Sequence, residues 1–321
     1  MTIGSIGNII TGESLLVNAT PNPTGDEASS VRAMGRCFRK VMGVDFSGAA
    51  LAGKTAWAAE LTPTVPSDDE PASEPAFTLT SLQPLGRLAG SDDRIAVNRY
   101  LVDRISDGGE TFWGCDFPFG LPIELRLGSW ASQLSHVKSF DGDAKELGRS
   151  LVERTREQSD RLHIRRTTDR ETQTPFDCYH YRIIYQTFHG MRDVLEPLAK
   201  RPDVAVLPFQ YKKLAEAAAV VVEACPSSTL KKQSLPHQRY KQSGGKPPSS
   251  QHQATRREIL RWVSRYVEIS PYRRRVIQRD SGGDALDAVL AGLGSWLRVC
   301  EADHKQIAGH KRYPREGFVY A

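Results

Sequence analysis

In the first half of the chain, short apolar runs alternate with stretches of turn residues, a pattern that predicts strands. Apolar runs over residues 40–47 and 54–61 are joined by a tight turn, which favours an antiparallel hairpin. Residues 76–85 alternate apolar and polar side chains and predict a third strand. The first run delivers Asp45, and an acid in a buried strand is costly unless it is paired or faces a metal or a cleft. Alternatively, Asp45 caps the following loop with its side-chain oxygen.

A helical pattern and a fourth strand follow these three strands. An acidic pair at residues 92–93 can cap a helix that ends near residue 106, and residues 111–116 predict a strand that ends in Asp116. A crossover helix after a hairpin favours a fourth strand parallel to the first. We therefore expect Asp45 and Asp116 at one edge of a mixed sheet, where open α/β folds place their sites.

The second half of the chain begins with a helical insertion over about residues 125–200. Apolar runs at residues 204–209 and 218–224 then predict two more strands, and the second delivers Glu223 at its close. Glu223 is thus a second acid placed at the end of a buried run. Cys225 follows it, but no histidine is paired with it by sequence, which favours a buried structural cysteine.

A final amphipathic helix carries an acidic pair. Asp284 and Asp287 lie three residues apart in its first turn and so share one face. Ala288 and Gly292 continue from Asp284 at steps of four, which predicts close packing on a sheet with the carboxylates at its edge. Alternatively, acids in a first turn merely complement the helix dipole, but that explains one aspartate better than two.

Composition bounds the class of protein. The chain has 321 residues and a mean hydropathy of −0.43, and no apolar run approaches the ~20 residues of a membrane helix. Five cysteines without a CxxC pair favour a reducing compartment over a disulfide framework. With no signal-peptide pattern at the start, the sequence predicts a cytoplasmic protein without a membrane span. Residues 1–38, rich in polar and turn residues, predict a disordered leader.

Charge is distributed unevenly along the chain. The net charge is +5, yet residues 231–275 hold twelve Lys or Arg against two Glu, so the rest of the chain carries about −5. The segment includes a basic loop over about residues 232–255. A basic segment on an acidic body favours a polyanionic partner, although a solvated loop is an equal alternative.

The acids suggest a common site. Five of them are delivered by predicted buried elements: Asp45, Asp116, Glu223, Asp284 and Asp287. Carboxylates gathered at one site repel each other, and a divalent cation such as Mg²⁺ relieves that repulsion. Two such ions can activate water and stabilise the leaving oxygen in phosphodiester cleavage.

Four motifs resemble the landmarks of the domain-of-unknown-function family 429, which is described as predicted RNase H-like nucleases. The motifs are GVDFS at 43–47, GCDFPFG at 114–120, VEACP at 222–226 and GDALDA at 283–288. The resemblance implies an RNase H-like fold, a five-stranded mixed sheet of order 3-2-1-4-5 flanked by helices, which we assign to residues 39–300. Residues 301–321 are expected to form a C-terminal tail. The resemblance further implies that Asp45, Asp284 and Asp287 bind Mg²⁺ or Mn²⁺, and it leaves the middle ligand open between Asp116 and Glu223. The predicted topology favours Asp116, because this residue lies in the fourth strand.

Three functions are consistent with these features. The first is a metal-dependent nuclease, with phosphates contacted by Arg165, Arg166, Lys231, Lys232, Arg273, Arg274 and Arg275. The second is a non-catalytic nucleic-acid-binding protein that keeps the fold. The third is an actin/hexokinase-like ATPase or phosphotransferase, which needs two copies of the core, whereas no internal repeat is visible.

Overall fold

A computed structural model describes residues 31–64, 76–242 and 245–321. The strands within these ranges are β1 (Val31–Ala33), β2 (Arg36–Phe38), β3 (Lys40–Asp45), β4 (Trp57–Pro63), β5 (Phe77–Pro84), β6 (Thr111–Asp116), β7 (Val204–Leu207), β8 (Ala219–Ala224), β9 (Val267–Glu268) and β10 (Val319–Tyr320). The helices are α1 (Leu85–Ala89), α2 (Arg94–Ser106), α3 (Trp130–Ser139), α4 (Ala144–Arg156), α5 (Thr167–Glu171), α6 (Ile184–His189), α7 (Glu196–Ala199), α8 (Pro226–Lys232), α9 (Ser250–Val263), α10 (Pro271–Arg279), α11 (Asp284–Glu301), α12 (His304–Gly309) and α13 (Tyr313–Glu316). A π-helical turn, Gly190–Leu195, joins α6 to α7.

A mixed sheet dominates the described part of the chain. Its strands lie in the order β10-β8-β6-β3-β4-β5-β9, and β7 also pairs with β8. The β3–β4 and β4–β5 pairs are antiparallel, whereas β6 lies between β3 and β8 and is parallel to both. The predicted α/β class, the hairpin and the parallel fourth strand are therefore confirmed.

The number of strands was predicted wrongly. The described residues form an eight-stranded sheet rather than a five-stranded one. Strands β9 and β10 span two residues each, too few to show a period-two pattern. Strand β10 lies within residues 301–321. These residues were expected to be a tail, but they form α12, α13 and β10, which pairs with β8.

Two other predicted segments differ in extent. The leader was expected to be disordered over residues 1–38; residues 31–38 instead form the β1–β2 hairpin, and residues 1–30 lie outside the described residues. The basic loop is shorter than predicted because α9 begins at Ser250, with the Ser249 hydroxyl accepting from the backbone N–H of His252. The insertion is mainly helical, as expected.

The sheet is the middle of three layers. Strand residues such as Val41 and Phe112 pack on one face with residues of α9 and α11. Their neighbours in sequence, Met42 and Trp113, pack on the other face with α2 and the helical insertion. No helix in the described ranges is long and apolar enough to cross a membrane.

Glycines bring α11 unusually close to the sheet. A Cβ on Gly43 would lie 1.9 Å from the Ala288 carbonyl oxygen, and one on Gly114 would lie 2.3 Å from the Ala291 carbonyl oxygen. Only glycine permits this separation of helix and strand backbones. The close approach sets how far the first turn of α11 reaches over the edge of the sheet.

Candidate metal centre

Two acids of the site come from neighbouring strands. Asp45 and Asp116 are register partners at the C-terminal ends of the parallel strands β3 and β6. Each lies two residues beyond a glycine that contacts α11, Gly43 or Gly114, and side chains two apart share a face of the sheet. Both carboxylates therefore point to the α11 side at one edge.

A third acid comes from the start of α11. Gly283 precedes the helix with a φ of 80°, a conformation that favours glycine, and its carbonyl accepts from the backbone N–H of Asp287 at 3.0 Å. Asp287 is buried, and its carboxylate lies with those of Asp45 and Asp116. One carboxylate oxygen from each of the three residues lies within 4.8 Å of the others.

Burial and repulsion favour the protonated forms of Asp45 and Asp116. Burial, reinforced by the charge of Asp287, raises the pKa of Asp116 to about 8. Burial also raises the pKa of Asp45 well above its usual range, and Asp287, Asp284 and Asp116 add to the effect. A divalent cation would reverse these shifts, because its charge favours the ionised carboxylates.

A lysine absent from the sequence-based site lies on the cluster. The Lys241 ammonium forms an ion pair with Asp287 and lies 3.8 Å from Asp284. Burial lowers the pKa of Lys241, but Asp287 and Asp45 raise it by more, so it stands well above its usual range. Its side chain as a whole is 46% exposed, so Lys241 lies at the boundary between the cluster and solvent. Periodicity gave no indication of this contact, because Lys241 belongs to a loop.

Hydrogen bonds from Tyr240 and Arg256 hold the loop that carries Lys241. The Tyr240 hydroxyl donates to Asp287 Oδ1 at 2.9 Å. The fully buried Arg256 donates to the Tyr240 carbonyl at 2.7 Å and to the Ile277 carbonyl at 2.9 Å. Arg256 thus ties this loop to the end of α10, and it positions the Tyr240–Asp287 hydrogen bond.

Asp284 lies at the rim of the cluster. Its carboxylate does not belong to the three-residue ligand group found in the described residues, and it faces Lys241. Burial raises its pKa to about 6. Asp284 was predicted as a metal ligand; the structure places it beside that group rather than in it.

The structure does not bring Glu223, the alternative middle acid, to the cluster. It is the register partner of Cys115, one residue before Asp116, so its side chain lies on the opposite face of the sheet. There it forms an ion pair with Arg166 and accepts from the backbone N–H of Phe119 at 2.9 Å. In this register, the residue of β8 opposite Asp116 is Ala224.

The same ion pair corrects the expectation for Arg166. Its side chain is 1% exposed and is shared between Asp169 and Glu223, so it is not available to a phosphate. Arg166 also donates to the Glu316 carbonyl at 3.1 Å. Its role here is structural.

Most of the other predicted phosphate contacts are engaged with partners within the protein. Arg165 pairs with Asp177 at 2.8 Å, and Lys232 pairs with Glu301 at 2.8 Å. The remaining contacts are Lys231 to the Gln173 carbonyl, Arg273 to the Thr80 carbonyl and Arg274 to Ser264, while Arg275 is exposed.

The donor set fits a hard divalent cation. Three carboxylates from three separate elements converge at one edge, and oxygen is the ligand that Mg²⁺ and Mn²⁺ prefer. Asp45, Asp116 and Asp287 could hold such an ion once Lys241 releases Asp287. Asp284 is near enough to Lys241 to form an ion pair with its ammonium group.

Comparisons of the chain with protein-family models, with curated proteins and with solved structures find no match.

Proposed function

We propose that the protein is a metal-dependent nuclease that hydrolyses phosphodiester bonds of nucleic acid. One observation carries this proposal: the convergence of the Asp45, Asp116 and Asp287 carboxylates within 4.8 Å. The inner path of the sheet, β5-β4-β3-β6-β8, supports an RNase H-like fold, because it places the acid-bearing strands side by side. The four motifs that resemble family 429 favour the same function.

Each residue of the centre has a distinct task in this reaction. The chemistry supplied by bound Mg²⁺ or Mn²⁺ is activation of water and stabilisation of the leaving oxygen. Asp45, Asp116 and Asp287 hold the ions, and Tyr240 orients the Asp287 carboxylate. Lys241 leaves Asp287 and pairs with Asp284 or with the substrate phosphate, so its charge stays at the site.

A cleavage assay tests the proposal. Single-stranded, duplex, hybrid and branched substrates are incubated with Mg²⁺ or Mn²⁺ and with the variants Asp45→Asn and Asp287→Asn. We expect cleavage by the wild type and a fall to the level measured in EDTA for both variants. Asp103→Asn, an exposed acid on α2, is the matched control and should cleave normally. Equal activity of the wild type and both site variants would contradict the two-metal proposal.

Lys241 favours a second candidate, a non-catalytic nucleic-acid-binding protein. An ammonium on Asp287 neutralises part of the cluster without a metal, as would suit a site that no longer binds ions. An actin/hexokinase-like enzyme is less well supported, because the described residues hold one large sheet rather than two cores.

Thermal unfolding in a Mg²⁺ or Mn²⁺ titration separates the first two candidates. If Lys241 yields to the metal, the ion stabilises the wild type, and Lys241→Met reaches the same stabilisation at a lower ion concentration. If the ammonium replaces the metal, only Lys241→Met responds to the ion. Lys232→Met is the matched control, since Lys232 is similarly exposed and paired with Glu301, and its response should equal that of the wild type.

A further inference from the structure

An aromatic and cationic segment of the helical insertion lies against the loop that follows Asp45. A Cβ on Gly48 would lie 2.4 Å from the Tyr185 carbonyl oxygen, so the two backbones are in direct contact. The Gln186 side chain donates to the Phe46 carbonyl at 2.7 Å, which fixes α6 to the residue next to Asp45. The start of α6 therefore lies on the loop that follows Asp45, at the edge of the sheet where β3 ends.

The loop that follows Asp116 is held by the same helical segment. A Cβ on Gly190, directly after α6, would lie 2.3 Å from the Phe117 ring. The Phe117 and Phe46 rings are in turn 4.6 Å apart. α6 and the first residue of the π-helical turn thus pack on the residues that follow both strand acids. This segment lies at the edge of the sheet where β3 and β6 end, on the face opposite to α11.

The residues just before α6 and at its start expose aromatic rings and a cation. Tyr181 is 69% exposed and Tyr185 is 42% exposed. The His180 ring lies 4.3 Å from Tyr181 and is stacked 5.1 Å from Phe176. Arg182 lies over both Phe176 and Tyr181, and its Nε donates to the Tyr181 hydroxyl at 3.1 Å.

We propose that Tyr181, Arg182 and Tyr185 form a stacking platform for the unpaired bases of a single-stranded nucleic acid. This inference rests on the proposed function and specifies its substrate. Aromatic faces stack on any base and a nearby arginine adds a cation–π and phosphate contact, the combination that single-strand binders use. Paired bases already stack on each other within a duplex, so exposed rings favour a strand whose bases are free.

Direct binding measured in EDTA tests the platform apart from catalysis. The probes are fluorescein-labelled oligothymidylate and oligouridylate, an abasic strand of the same length, and a blunt duplex. We expect Tyr181→Ala and Tyr185→Ala each to weaken binding of the two base-bearing strands about ten-fold. Binding of the abasic strand should be weak and unchanged by either substitution, and Tyr181→Phe should bind like the wild type.

Tyr272→Ala is the matched control, because Tyr272 is 65% exposed on α10, outside the platform. The inference is overturned if Tyr272→Ala weakens binding as much as the platform variants do, if those variants bind normally, or if the duplex binds as tightly as the strands. Platform-dependent binding without cleavage would leave the inference standing and defeat the nuclease proposal. Cleavage by the wild type together with normal binding by the platform variants would defeat the inference and leave the nuclease proposal standing.

Discussion

At the scale of single residues, the centre combines two acids of raised pKa, Asp45 and Asp116, with a lysine that is charged. Asp45 and Asp116 share one edge, and burial raises the pKa of each. Lys241 offsets part of their charge, and its own pKa is raised, so it stays protonated through neutral pH. The metal-free centre therefore changes its charge through the carboxyl groups.

This charge change predicts a pH dependence of stability. Asp116 has a pKa of about 8 in the folded protein against an ordinary value of 3.8. Between these values the folded state holds a proton that the unfolded state has released, so its contribution is present at low pH and is lost as pH rises through about 8. In EDTA, the urea midpoint of the wild type should fall over this range more steeply than that of Asp116→Asn.

The same urea series distinguishes Asp116 from an acid on the protein surface. Asp103→Asn removes an exposed carboxyl of α2 and should keep the wild-type slope. Identical slopes for the wild type and Asp116→Asn would show that Asp116 is ionised in the folded protein, contrary to the expected shift.

At the scale of elements, the site depends on how closely α11 approaches β3. Gly43→Ala would place a methyl group 1.9 Å from the Ala288 carbonyl oxygen, so helix or strand must move. Overpacking of this kind costs roughly 1–3 kcal/mol, and a backbone obstacle favours the upper end. We expect a loss of about 3 kcal/mol in urea unfolding and weaker Mn²⁺ binding, because Asp287 moves away from Asp45.

A second glycine provides the control for Gly43. A Cβ on Gly309, at the end of α12, meets no atom within 4 Å. Gly309→Ala should therefore be neutral or slightly stabilising, since alanine favours the helix. If Gly43→Ala unfolds at the same urea concentration as the wild type, the helix is not held at the distance the structure shows.

The length and pattern of each element decided whether it could be predicted from the sequence. Strands and helices with long apolar patterns were predicted correctly, and the small residues spaced by four in α11 indicated its close packing. The side of the sheet that Glu223 faces was not predictable, because a register shift of one residue exchanges the faces. Lys241 was missed for a different reason, since a loop contact leaves no periodic pattern.

At the scale of the whole molecule, one buried arginine joins three distant parts of the chain. Arg166 begins the α5 segment of the insertion and contacts Glu223 of β8 and the carbonyl of Glu316 near the C-terminus. The Thr168 hydroxyl accepts from the backbone N–H of Val319 in β10 at 2.8 Å. The last residues are therefore part of the core, and this network lies across the sheet from the acidic cluster.

Glu223→Gln tests this division between the two faces of the sheet. The substitution leaves the buried Arg166 with Asp169 as its remaining charged partner, and breaking a buried pair costs roughly 3–5 kcal/mol. We expect a loss of that size in the free energy of unfolding measured with urea. Mn²⁺ affinity should stay at the wild-type value where the variant is folded, because Glu223 faces away from the ligand group.

Two comparisons make the Glu223 result specific. Glu301→Gln breaks the exposed pair with Lys232 and should change the free energy of unfolding by less than about 1 kcal/mol. Asp116→Asn should show the opposite pattern to Glu223→Gln, with Mn²⁺ binding lost and the fold retained. If Glu223→Gln abolishes Mn²⁺ binding while urea unfolding is unchanged, Glu223 rather than Asp116 is the middle ligand and the face assignment of β8 is wrong.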